Sequence, residues 1–456
     1  MTVAEFIDSR RDQYEKDLIR LLEIPSVSTD SSRKGEVQRC AEEVRRQLGE
    51  AGLKTEIIPT QGHPVVLGEW TGAEGSPTLL FYGHYDVQPE DPLEKWTTPP
   101  FQPTIRNGKI YARGATDDKG QFLAHVKAVH ALMESEGRLP VNVKFVIEGE
   151  EEIGSPHLKP FLEANRDRLA ADVLVISDSA MFAPGVPSIL YALRGLTYLQ
   201  IDLKGAHGDL HSGVFGGAVP NPGYELCRII AALKDSSGRC TIPGFYDKVL
   251  ELTEQERRGF ASLPFDAEEF RRSVGSPGLS GEEGFTVLEQ RWARPTVEVN
   301  GLLCGFTGEG AKTVLPNLAM AKISCRLVPN QDPDEIAEIV ERHIRKLCPD
   351  YLECTVTKMH GGHPWITPPE HPALAAASRA MGKVFGKRPV SVREGGSIPI
   401  VVDFETVLGV PGVLLGFGLN DENLHAPNEH MDLGNYHLGI RTSVELMREM
   451  ASYRPG

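Results

Sequence analysis

The cysteines of this chain form no pattern. The seven of them (Cys40, Cys227, Cys240, Cys304, Cys325, Cys348 and Cys354) are odd in number, scattered, and make no Cys-x-x-Cys pair. That excludes a disulfide framework and a thiolate zinc site. Long apolar runs are missing too: the uncharged stretch 406–420 is too short and too rich in Gly and Pro to span a bilayer. The N-terminal segment MTVAEFIDSRRDQYEKDLIRLLEI is charged throughout and has no continuous apolar core, so it is no signal peptide. A cytoplasmic chain with no membrane partner is expected. Positive charge is in deficit, 48 Lys and Arg against 63 Asp and Glu, for a net charge of −15. A nucleic-acid partner is therefore not expected, because a phosphate backbone needs clustered cations. A phosphate loop is also absent: the nearest glycine cluster, GFTGEG at 305–310, opens no helical pattern. The chain contains neither an internal repeat nor a low-complexity tract.

What remains is an ordinary globular composition in a chain of 456 residues, enough for two or three domains. Apolar spacing predicts a helix over 2–22 and another over 36–51 that is stopped by Gly52. Strands are expected at 54–58, 65–70 and 78–82, then a helix at 121–136, a strand at 141–147, a helix at 156–165 and a strand at 172–176. This alternation argues for an α/β fold with a mixed, largely parallel sheet flanked by helices and ligands at its carboxyl ends. Near Leu193 the pattern changes. Strands at 197–204, 296–299, 318–328 and 353–358 with helices at 222–234 and 333–347 predict an inserted α+β domain. A charged helical stretch, 246–292, lies within it. A helix at 373–384, a strand at 413–416 and a helix at 439–451 complete the reading. The expected division is 1–192 and 388–456 for the first domain, with 193–387 inserted.

The chemistry-bearing residues collect just past these strands. The apolar run 78–82 ends in Gly83-His84-Tyr85-Asp86, where period-two alternation puts His84 and Asp86 on one side. A carboxylate on the far ring nitrogen of a metal-binding His fixes its tautomer and raises its basicity. Asp117-Asp118-Lys119-Gly120 then precedes a helix, and Glu148-Gly149-Glu150-Glu151-Glu152 follows a buried strand. Acids crowded at a strand end repel one another unless a positive charge sits among them. Asp178 occupies a third strand end, and His425 lies in a loop after an apolar strand. Two imidazoles and several carboxylates without thiolate suit two divalent ions, zinc above all, with manganese or cobalt also accommodated. Such a pair sits roughly 3.5–4 Å apart, holds a water as hydroxide and polarises a carbonyl, while a nearby free carboxylate moves the proton.

These residues, in this order and approximate spacing, resemble the M20 metallopeptidases. The chain is most similar to their carnosinase and cytosolic non-specific dipeptidase branch, through GHYDVQPEDPLEKWTTPPFQP, RGATDDKG, DLHSGVFGG (209–217), FDAEEF (265–270), RWARP (291–295), GAKTVLPN (310–317), RLVP (326–329) and REGGSIP (393–399). The resemblance implies that Asp117 bridges two metals, that His84 and Asp178 complete one site, and that Glu152 and His425 complete the other. It also implies Glu151 as general acid/base, Asp86 as the partner of His84, and a cis peptide between Asp117 and Asp118. In the inserted lid and dimerisation domain it implies that His211 reaches the partner subunit of a homodimer to steady the oxyanion. Arg326 would clamp the substrate carboxylate, with Thr313 and Ser397 as further substrate contacts.

The function implied is hydrolysis of dipeptides, with Asp rather than Glu at 178 resembling the aminopeptidase and dipeptidase members. An N-acyl amino acid deacylase of the same family is the alternative. Glu150 and His207 receive no role.

Overall fold

The computed structural model describes residues 1–396 and 398–454. Two compact units emerge. The first comprises Met1–Tyr191, Thr367–Val392 and the chain from Ile400 onwards; the second comprises Ala192–Ile366 and a short return stretch beginning at Arg393. The segment expected to be inserted, 193–387, therefore ends earlier. Helix Pro372–Phe385 belongs to the first unit because its apolar face packs on the long helix Leu433–Met450.

The large sheet of the first unit contains β1 (Lys54–Ile58), β2 (Val65–Trp70), β3 (Thr78–His84), β4 (Asn142–Glu148), β5 (Val173–Ile176), β6 (Ser188–Leu193) and β7 (Gly412–Leu414). Their spatial order is β1-β2-β4-β3-β5-β7-β6. β3 runs parallel to β4 and β5, and β7 parallel to β5, while the outer pairings are antiparallel. The central strands carry near-continuous apolar runs, such as Leu79–Tyr82 and Val173–Ile176, and these are buried, as strands covered on both faces must be. Helix Lys119–Glu136, buried along most of its length, packs on β3 and on Leu433–Met450. Four parallel strands thus lie side by side, the arrangement in which ligands bind beyond the carboxyl ends.

The second unit is built on a four-stranded antiparallel sheet in the order Thr296–Cys304, Leu318–Leu327, Gly195–Lys204 and Glu353–Gly362. Gly195–Lys204 alternates buried and half-buried residues along its length. Its inward face (Leu199, Ile201, Leu203) packs with Leu226 and Ile229 of helix Pro222–Ala231 and with Ile336, Val340 and Ile344 of helix Pro333–Leu347. Among the described residues no helix is long and apolar enough to cross a membrane.

Several elements depart from the expectation. The N-terminal helix is two, Val3–Ser9 and Arg11–Leu22, broken at Arg10. A small sheet of Thr104–Arg106, Lys109–Tyr111 and His430–Asp432 occupies what reads as loop. Its hairpin turns on Asn107-Gly108, whose φ angles of 50° and 76° suit a two-residue turn with both central residues left-handed. Strand Ser188–Leu193 and helix Pro399–Leu408 were likewise not expected.

One buried polar residue of this core is set against protonation. His125 is fully buried, with Ser443 Oγ 2.9 Å from Nδ1, Ser177 Oγ 2.7 Å from Nε2, and the tilted ring of Phe81 4.8 Å away between centroids. Burial lowers its pKa to about 3. The unfolded chain therefore binds a proton here that the folded chain does not, between about pH 6.5 and pH 3. Below that upper limit the group removes about 1.4 kcal/mol of stability per pH unit. The metal-free melting temperature of the wild type is expected to fall more steeply between pH 7 and pH 4 than that of His125→Asn; parallel profiles would exclude this assignment.

Candidate metal centre

The site is assembled from three strand ends and two loops. His84 is the last residue of β3, Asp178 lies two residues beyond β5, and Glu151 and Glu152 begin a single 3-10 turn, Glu151–Ile153, after β4. Asp117 precedes helix Lys119–Glu136, and His425 sits in the loop between β7 and His430–Asp432. Ligand-type atoms of His84, Asp117 and Asp178 all lie within 4.8 Å of one another, as do those of Asp117, Glu152 and His425. Asp117 belongs to both triplets. Its Oδ1 is 3.1 Å from His84 Nε2 and its Oδ2 is 2.8 Å from His425 Nε2. All five ligands expected from the sequence are brought together, and the Asp117–Asp118 peptide is cis.

Close backbone approach explains two glycines of the motifs. A Cβ on Gly83 would stand 2.5 Å from Phe122 Cβ and 2.8 Å from Asp118 Oδ2. On Gly120 it would meet the Ala115 carbonyl oxygen at 2.1 Å. No larger residue fits at either position without moving backbone or ligand.

Neighbouring residues orient His84 and Glu152. His84 Nδ1 lies 3.1 Å from the Asp86 carbonyl and 3.4 Å from Asp86 Oδ1. Proton placement on Nδ1 leaves Nε2 with a free lone pair. The Asp86 carboxylate also accepts the N–H groups of Glu151 and Glu152 at 3.2 and 3.1 Å, so one buried acid orients both the imidazole and the acidic turn. Gln88, which the sequence reading passed over, donates its backbone N–H (3.1 Å) and its side-chain amide (2.7 Å) to the two oxygens of Glu152. Glu150 is buried rather than solvated: its carboxylate accepts the His63 N–H at 3.0 Å and meets His157 Nδ1 at 2.8 Å.

The electrostatics are those of a site built around cations. Burial, with Asp117 nearby, pushes Glu152 up to about 8 and Asp178 up to about 6. Burial also raises Glu151 well above its usual range, with Asp178, Asp117 and Glu152 adding to the shift despite His84. Asp118 is pushed up by burial and by Asp178. Burial opposes ionisation of Asp117, but His425 and His84 outweigh it and hold its carboxyl low. His84 is buried, and its Nε2 forms no hydrogen bond despite standing 3.1 Å from Asp117 and 4.0 Å from Asp178. A buried nitrogen lone pair directed between carboxylates fits a divalent ion, and the all-N/O donor set suits zinc, manganese or cobalt. The His425 side chain is 56% exposed, which leaves this edge of the centre open to solvent.

The remaining expected residues lie in the second unit. His211 is exposed on the two-residue strand Leu210–His211, paired with Val314–Leu315, and Ser212 N–H donates to the Thr313 carbonyl at 3.0 Å. His211 and Thr313 are therefore neighbours. Arg326 is half-buried on Leu318–Leu327, between Leu196 and Thr296. His207 is exposed, and Ser397 lies outside the described residues.

Loss of the Asp86 carboxylate is expected to weaken metal binding while leaving all five ligands present. Calorimetric titration of Asp86→Ala with manganese or zinc is predicted to give a Kd about 10–100-fold above wild type, and an unchanged Kd would show that the turn needs no such support.

Comparison with known proteins agrees with this geometry. Residues 80–449 match the family described as Peptidase family M20/M25/M40. The chain is 35% identical to the Cys-Gly metallodipeptidase of Schizosaccharomyces pombe, covering 99% of this chain and 98% of that one. It is 34% identical to the Beta-Ala-His dipeptidase of Homo sapiens, covering 98% and 92%. The solved M20 family metallo-carboxypeptidase of Sulfolobus solfataricus superposes with a TM-score of 0.83 at 36% identity, covering 96% of this chain and 99% of that one. With two shared-ligand triplets at the strand ends and a family match over most of its length, the chain belongs to the M20 family of metallopeptidases.

Proposed function

We propose that this protein is a two-metal dipeptidase that hydrolyses the amide bond of free dipeptides. The observation that carries the reading is the pair of ligand triplets sharing Asp117, with an acid, Glu151, beside them and outside both. In this reading Asp117 is common to both ions, His84 and Asp178 complete one set of ligands, and Glu152 and His425 the other. Bound there, two divalent ions supply Lewis acidity toward the scissile carbonyl and make a water more acidic. Zinc is the first expectation, with manganese and cobalt compatible with the same donors.

Glu151 is the proton carrier. Its N–H is tied to Asp86, while among the described residues its carboxylate makes no hydrogen bond or ion pair. The elevated pKa suits a base that takes a proton from the attacking water. As the C–N bond breaks, Glu151 returns that proton to the leaving amine nitrogen. His211 is assigned to the oxyanion, acting in the partner subunit of a homodimer. Arg326 offers a guanidinium fork to the substrate carboxylate, with Thr313 and Ser397 as further contacts. The edge position of strand Thr296–Cys304 supports association, since it presents Val299, Leu302 and Leu303, each about half exposed, beside unpaired backbone groups. We assign the first unit to catalysis and the second to the lid and dimer contact, in the cytoplasm.

Three outcomes test this reading. Glu151→Gln is expected to keep its metal content and lose most of its turnover, by about three orders of magnitude if proton transfer is limiting; near-wild-type turnover would remove Glu151 from the role. Free dipeptides are expected to be cleaved in preference to tripeptides and N-acyl amino acids, and a preference for N-acylated substrates would favour the deacylase alternative. Leu302→Glu with Leu303→Lys is expected to give monomers by sedimentation and to lower kcat with metal content intact. Fully active monomers would exclude His211 from acting in trans.

A further inference from the structure

Resting on the reading of this cluster as a two-ion centre, we propose that Glu429, assisted by Glu422, is the positioning residue that locks the His425 loop onto the Asp117 loop. By doing so it sets the affinity of the half of the centre that depends on His425. The two acids bracket His425 in sequence, and both are completely buried.

Glu429 reaches across to the loop that carries Asp117. Its Oε2 accepts the Gly114 N–H at 3.0 Å and Arg113 Nη1 at 2.7 Å, and its Oε1 accepts the N–H groups of Thr116 and Asp117 at 3.2 and 3.3 Å. One carboxylate therefore fixes the backbone of the shared ligand itself. Glu422 grips the same loop from the other side: Oε2 accepts the Thr116 hydroxyl at 2.6 Å and the Leu419 N–H at 2.9 Å, and Oε1 accepts the Asp432 N–H at 2.9 Å.

The loop between these anchors would not hold its shape alone. Asn423, His425 and Asn428 have φ angles of 58°, 57° and 63°, in the left-handed region that side chains with a Cβ disfavour. His425, a ligand, is among them, so its imidazole is presented by a backbone conformation that the surroundings must impose. Asn428 adds an outer tie, accepting the Thr97 N–H at 2.8 Å and donating to the Lys95 carbonyl at 2.9 Å. The half of the centre formed by His84 and Asp178 has other supports. His84 ends β3, Asp178 follows β5, and Asp86 orients His84. Weakening Glu429 thus touches both ions through Asp117, but acts more strongly on the one that also depends on His425.

A buried Arg113–Glu429 pair serving only general stability is the competing account, and metal binding separates the two. The probe is manganese or zinc alone, titrated calorimetrically into metal-free Glu429→Gln, with ions per chain counted after desalting and the metal-free melting temperature recorded. The Kd of the second ion is expected to rise about 10–100-fold and that of the first by distinctly less, so that retained metal drops from two ions to one. Asn428→Ala, which removes the outer tie and leaves Ala in a left-handed conformation, is expected to shift the second Kd in the same direction by less. Unchanged binding of both ions by Glu429→Gln overturns the proposal. So does an equal weakening of both ions with a parallel loss of metal-free melting temperature. If Glu429→Gln does not fold, Asn428→Ala decides, and an unaltered second Kd counts against the proposal. A wild-type chain that binds fewer than two ions would instead remove the two-ion reading, independently of either variant.

Discussion

The structure depends on charge compensation among acids held within a few ångströms of one another. Asp117, Glu151, Glu152, Asp178 and Asp118 gather around two imidazoles. Two like charges 4 Å apart repel by about 4 kcal/mol at the effective dielectric of a protein site, so such a group is stable only with protons or cations between its members. The upward shifts of Glu152, Asp178 and Glu151, caused first by burial and then by that repulsion, are the protonated answer to it. A divalent ion is the other answer, and the unbonded His84 Nε2 is directed to accept it. The chain invests its buried polar residues in holding this arrangement: Asp86 beneath His84 and the acidic turn, Gln88 on Glu152, and Glu422 and Glu429 around His425.

The sheet makes the arrangement possible. Its parallel central strands are apolar enough to be covered on both faces, and they stop in register, with His84 opposite Glu148. Side chains that follow each strand therefore emerge at one edge. The helix Lys119–Glu136 brings the Asp117–Asp118 step over the same edge, and glycines at 83 and 120 let its backbone approach closely. Strand ends and the turn after one of them carry three of the five expected ligands, and two loops clamped together, those of Asp117 and His425, carry the others. This division explains why His425, on the open side, needs anchors that His84 does not.

Legibility of the sequence followed the strength of its periodic signal. Strands β1 and β2 and helix Pro333–Leu347 match the boundaries expected from pattern alone, the helix because its start is capped by Asp332 before Pro333. The small sheet of Thr104–Arg106, Lys109–Tyr111 and His430–Asp432 was not legible, since its strands are three residues long and one comes from the far end of the chain. The Asn107-Gly108 turn was the only local trace of it. Glu150, which receives no role from the sequence, gains partners only through the fold, which places His157 and the His63 backbone against it.

By itself the amino-acid sequence determined the kinds of donor and their order along the chain. Imidazoles and carboxylates without thiolates, each just past an apolar run, define a class of metal chemistry because donor type and strand termination are local properties. Only the tertiary structure decided which acids share a cation and which merely hold the frame. Asp117 and His425 lie 308 residues apart, yet stand 2.8 Å from each other. Glu429, four residues beyond His425, turns instead to the backbone of Asp117. Roles of that kind depend on which loops fold against one another, and no spacing within a single stretch of chain encodes such a distance.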